Sequence, residues 1–116
     1  MTNFNYNEIQ SIAIKTNIHR GMSVDSIKKA LRQFLGAYTL LKTLDDDYLL
    51  DCLSDRAYDG FYFQLDAMEE YIGAIGEAVL SGVPDYNKTV EDCRWCDVSL
   101  GKALAILGNY DIRVDF

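Results

Sequence analysis

The sequence predicts a mainly α protein, a compact bundle of four or five helices with a short C-terminal β-strand. A small two- or three-stranded sheet around that strand would make the fold α+β. Three observations carry this expectation. Apolar residues advance by threes and fours through most of the chain, the spacing that lines one face of a helix. Only Pro84 and eight glycines punctuate the 116 residues, so long helices run uninterrupted. From Tyr110 to Phe116 apolar and polar residues alternate without a miss, as in a half-buried strand.

Taken in order, residues 7–19 form the first helix candidate, with Ile9, Ile12 and Ala13 at helical spacing and β-branched Ile12, Ile14 and Ile18 pulling toward a strand. Gly21 ends it, and Ser23 caps a second helix whose apolar positions are Val24, Ile27, Leu31, Phe34, Leu35, Tyr38 and Leu41. Thr43, followed three residues later by Asp46, reads as a capping box opening a short helix over about 45–55. In residues 59–81, Phe61, Leu65, Met68, Ile72, Ile75 and Val79 step by fours and threes into one stripe. The aromatic run Phe61, Tyr62 and Phe63 has strand-like propensity and would allow that helix to start only near Gln64. Gly82, Val83 and Pro84 stop it, and Thr89 with Asp92 opens a last helix ended by Gly108 and Asn109. The terminal strand needs a partner, which Phe4 and Tyr6 or the region of Tyr62 would supply. Left unpaired, its edge offers a homodimer contact to a second copy.

No repeat, low-complexity tract or linker divides the chain, so residues 1–116 are read as one domain. At this length about two-thirds of the unfolded surface can be buried, enough for a core without staples. Residues 1–7 are polar and uncharged, no long apolar run exists, and the three cysteines are odd in number, which together imply a cytoplasmic protein without a membrane span.

The formal net charge of -7 is distributed unevenly. Up to Lys42, Lys15, Arg20, Lys28, Lys29, Arg32 and Lys42 outweigh Glu8 and Asp25 for a local net of +4. From Thr43 to Asp85 only Arg56 offsets a run of acids, for a local net of -10, and the remainder carries -1. Such segregation selects oppositely charged partners, unless the acids solvate helix faces and pair with the basic third of the same chain. At 100° per residue, Asp59, Asp66, Glu70 and Glu77 fall within about 40° of one another, opposite the apolar stripe, and make an acidic ridge.

The chemistry-bearing motifs are sparse. Cys93-Arg94-Trp95-Cys96 with Cys52 and His19 would make four zinc ligands, but both thiols of the C-x-x-C coincide with the apolar stripe of a capped helix, so core thiols are expected and no metal or other cofactor. The triple aspartate Asp45, Asp46 and Asp47 serves a helix start, since the ligands of a calcium loop do not follow. One histidine, with no nucleophile elbow or phosphate loop, nominates no catalytic residue, and no enzyme is expected. Around Gly21, the outline of a helix-turn-helix puts Lys28, Lys29 and Arg32 on its second helix, an alternative reading as a nucleic-acid-binding regulator that the overall charge disfavours.

What remains is protein binding. Carboxylates at helical spacing imitate a run of phosphates or match the basic surface of a nuclease. The expectation is an acidic inhibitor that occludes a basic, nuclease-like protein through Asp51, Asp55, Asp59, Tyr62, Asp66, Glu70 and Glu77. An immunity protein neutralising a toxin is the first form of it; a phage anti-defence protein (anti-restriction or anti-CRISPR) acting as a DNA mimic is the second.

Overall fold

The computed structural model describes residues 23–81, 85–112 and 114. Within them the protein is all-α, with α1 (Val24–Lys42), α2 (Asp46–Cys52), α3 (Asp55–Leu80) and α4 (Tyr86–Asn109). The helix expected over residues 7–19, the Gly21 turn, His19 and the stop at Gly82, Val83 and Pro84 lie outside the described residues.

Each of these helices begins on a side chain that accepts a backbone N–H otherwise left without a partner in the first turn. Ser23 accepts from Ser26 at 3.1 Å, Asp45 from Asp47 at 3.1 Å, Ser54 from Ala57 at 3.1 Å and Asp85 from Lys88 at 3.2 Å. Two expected caps are thereby corrected. Thr43 closes α1 instead of opening α2: its N–H donates to Thr39 and Leu40, and its hydroxyl donates to the Leu40 carbonyl at 2.7 Å. Because α1 runs through Lys42, Thr43 is already used at that end. Thr89 lies one turn inside α4, buried, with its hydroxyl donating to the Asp85 carbonyl at 2.8 Å.

The boundaries of α2 and α3 also move. Following Ser54, α3 starts at Asp55, so Phe61, Tyr62 and Phe63 are helical and α2 stops at Cys52. The strand propensity of the three aromatics loses to burial: Phe61 is fully enclosed at a position only a helix would align with Leu65 and Met68.

The long helices α3 and α4 pack against each other most extensively, and α1 lies across both, with α2 bridging onto α3. The α3–α4 pair is antiparallel. Tyr110, just beyond α4, donates to Ser54 at the start of α3 at 3.0 Å, and Ile106 approaches Gly60. Into one core go Ile27, Phe34 and Leu41 of α1, Leu49 of α2, Phe61, Leu65, Met68 and Ile75 of α3, and Leu100, Leu104 and Leu107 of α4. The expected stripe of α3 is observed, with Ile72 and Val79 at its half-buried margin. Cys93 and Cys96 lie in the same core. No described helix is long and apolar enough to cross a membrane.

The C-terminal strand is not found among the described residues, and Tyr62 cannot pair with it because Tyr62 is helical; Phe4 and Tyr6 are outside the description. The chain instead leaves α4 through a Schellman turn, in which the N–H of Asp111 donates to the Gly108 carbonyl at 3.1 Å and that of Ile112 to Leu107 at 3.0 Å. Gly108 therefore sits within the helix, and Asp111 takes the left-handed position at φ 56°. Ile112 and Val114 then drop into the core, which accounts for the apolar residues at these two alternate positions without a strand. The edge on which a strand-paired homodimer would depend is absent from the described residues.

The left-handed conformation costs any residue with a Cβ free energy that glycine avoids. Asp111→Gly is expected to stabilise the protein by about 0.5 to 1 kcal/mol, read as a higher urea midpoint with an unchanged slope.

Candidate acidic interface on α3

Burial of the Phe61, Leu65, Met68 and Ile75 stripe fixes the rotation of α3 and turns the opposite side of the helix to solvent. On that side Asp55, Asp59, Asp66, Glu70 and Glu77 are all exposed. Relative to Asp59 they fall within about 40° and span about 33 Å along the axis. None of the five makes an ion pair with a described residue, and neither do Lys28, Lys29, Arg32 and Lys42 on α1. For these residues, the pairing of acids with the basic third of the same chain is not observed.

One large apolar side chain stands in the middle of the column. Phe63 is 68% exposed, on the same side of α3 as the carboxylates, one turn from both Asp59 and Asp66. Leaving a phenylalanine in water forgoes about 1.5 to 3 kcal/mol of burial. In the sequence Phe63 falls in a strand-like run with Phe61 and Tyr62, outside the ridge of carboxylates. The signal was its spacing of four from Asp59 and three from Asp66, which becomes decisive once the helix starts at Asp55.

Two other expected members of the site have different positions. Asp51 is exposed, but on α2 and so off the α3 column. Tyr62 is half-buried, and its hydroxyl donates to Asp46 Oδ1 at 2.8 Å. It is therefore a structural tether, not a free anchor. Glu69 sits beside the ridge and accepts from the Tyr38 hydroxyl at 3.1 Å, tying α1 to α3.

Asp46 holds the start of α2 against α3. Its Oδ1 accepts from Tyr58 at 2.5 Å as well as from Tyr62, whose rings lie 4.8 Å apart between centroids. The Tyr58 bond, then the Tyr62 bond, hold the Asp46 carboxyl below its ordinary value of 3.8. The same carboxylate raises Tyr58 above the usual tyrosine range, while for Tyr62 burial is the larger cause and Asp46 the second.

The thiols are poor nucleophiles here. Burial, with Asp92 nearby, pushes Cys93 up to about 11, and burial raises Cys96 further. Cys52 is a free, half-buried thiol on α2. Among the described residues no group of three or more His, Cys, Asp or Glu side chains is placed to hold a metal ion, and His19 is outside them. Lys28, Lys29 and Arg32 are exposed on α1, while the first helix of the helix-turn-helix outline lies outside the described residues.

A carboxyl with a lowered folded value contributes stability that is present above its unfolded value and lost as pH falls through the folded one. Asp46→Asn is therefore expected to lower the urea midpoint above about pH 4, with the gap to the native protein closing under more acid conditions. A gap unchanged from pH 7 to pH 2.5 would show that the Asp46 charge does not hold α2.

Compared with family models, curated proteins and solved structures, the chain matches none of them.

Proposed function

We propose that the protein binds a basic protein through the outer face of α3 and acts by covering that partner's working surface. The observation that carries this reading is Phe63, an exposed aromatic set inside a column of carboxylates without ion pairs to described residues. Interface energy concentrates in a few anchors that become desolvated, ringed by polar groups that steer and orient. An aromatic centre with an acidic rim fits a partner that offers an apolar recess bordered by Arg or Lys. Arginine suits it best, because a guanidinium can stack on Phe63 and bond Asp59, Asp66 or Glu70 at once.

The partner class this favours is a nuclease, whose substrate-binding surface is basic because it holds phosphates. Occlusion needs no chemistry from the inhibitor, in keeping with a site made of carboxylates and one aromatic. In its most concrete form the protein is an immunity protein that neutralises a toxin nuclease. A phage anti-defence protein presenting the same column as a DNA mimic to a host nuclease is the second form, with the same residues in the same roles. Cytoplasm is the proposed compartment for either.

The test is affinity capture on the full-length protein from lysate of its native host, washed at low and high salt, with proteins and nucleic acids both identified. A basic protein retained by the native chain should be weakened by salt. Capture should fall at least tenfold with Asp66→Lys/Glu70→Lys and again with Phe63→Ala, while Lys28→Glu/Arg32→Glu leaves it unchanged. Retention undiminished in folded Asp66→Lys/Glu70→Lys protein would remove α3 from the interface. Nucleic acid lost only with Lys28→Glu/Arg32→Glu would transfer the function to α1.

A further inference from the structure

The outer side of α4 carries a second surface. Burial of Cys93, Cys96, Leu100 and Leu104 fixes the rotation of this helix and turns Glu91, Trp95, Val98, Lys102, Ala105 and Asn109 to solvent. On the helical wheel these six lie within about 40° of Glu91, in a column about 27 Å long. Trp95 is 48% and Val98 42% exposed, and three residues apart they are neighbours on the helix surface. One turn before Trp95 stands Glu91, and one turn after Val98 stands Lys102, neither in an ion pair with a described residue. Along the helix the order is acid, two apolar side chains, base.

That order is complementary to its own reverse. We infer that this face of α4 docks on the same face of a second copy, the two helices antiparallel about a two-fold axis. With the axis level with the peptide bond between Cys96 and Asp97, Trp95 comes level with Val98 of the second copy, and Glu91 with its Lys102. Every contact then occurs twice. Two indoles and two valines share the centre, and an opposite-charge pair closes each end. Arg94 stands at the margin of the column and stays in water.

Charge argues for a second copy as the occupant. In α4, Lys88, Arg94 and Lys102 balance Glu91, Asp92 and Asp97, so the helix is neutral, whereas α1 has a formal net of +3, α2 of -3 and α3 of -5. A basic partner is drawn to α2 and α3, and two copies of an acidic chain meet with least repulsion where charge cancels. One helix face falls short of the roughly 800 Å² per partner of a standard interface, which makes the dimer concentration-dependent. Because α3 packs on the buried side of α4, the dimer leaves both acidic columns facing outward, and it is independent of the function proposed for them.

The test is sedimentation equilibrium of the full-length chain from micromolar to millimolar concentration. A reversible monomer to dimer equilibrium is expected. Trp95→Asp should abolish it, and Glu91→Lys or Lys102→Glu should each weaken it at least tenfold, since either change sets like charges against each other at both ends. An equimolar mixture of Glu91→Lys and Lys102→Glu chains should dimerise again, because both ends then join opposite charges. A monomer throughout, or a dimer untouched by Trp95→Asp, would overturn the inference. So would a mixture that does not recover, or a dimer lost instead in folded Asp66→Lys/Glu70→Lys protein, which would move self-association to α3. Alanine replaces aspartate at position 95 if that variant does not fold.

Discussion

The antiparallel packing of α3 on α4 is the constraint from which the rest of the molecule follows. A helix that buries Phe61, Leu65, Met68 and Ile75 against a partner carrying Cys93, Cys96, Leu100, Leu104 and Leu107 has its rotation fixed along most of its length. Every turn committed inward commits another outward. Asp59, Phe63, Asp66 and Glu70 therefore face solvent on a rigid element, not on a loop, and their relative spacing is that of the helix itself. Interfaces that bind without reorganising save the ordering cost that flexible ones incur.

Smaller interactions keep this pair in place at its ends. The Schellman turn after α4 satisfies the last carbonyls and tucks Ile112 and Val114 under the bundle, while Tyr110 reaches Ser54 at the cap of α3. At the same end of α3, Asp46 gathers the hydroxyls of Tyr58 and Tyr62 and so fixes α2. In the acidic middle of the chain the carboxylates thus divide by partner. Asp46 and Glu69 are used within the fold, Asp45 and Asp85 cap helices, and the column on α3 makes no ion pair with the described residues.

The helical stripes were legible in the sequence because burial repeats with the helix period, as in Leu65, Met68 and Ile75 or in Cys96, Leu100 and Leu104. Helix starts were less legible, since Thr43 and Thr89 have the chemistry of caps but sit where a longer helix already needs them, and Asp45 and Asp85 compete successfully nearby. Alternation reports burial and not backbone conformation, and a tail laid on helices gives the same pattern at Ile112 and Val114 as a strand would. Asp59, Asp66, Glu70 and Glu77 could be placed from their spacing alone, whereas Asp55 joins them only because α3 begins there. Phe63 could not, because its exposure depends on where α3 begins, and neither could the loss of Tyr62 to Asp46, which is a contact between helices.

The most direct measurement of the central claim is site-specific photo-crosslinking in living cells of the native host, with a photoreactive phenylalanine analogue placed in turn at Phe63 and at the exposed Trp95 of α4. The account predicts that position 63 traps one basic protein, through peptides that flank its substrate-binding surface, while position 95 does not trap it. The same partner trapped from position 95 and never from 63, or nothing but nucleic acid trapped from either, would contradict it.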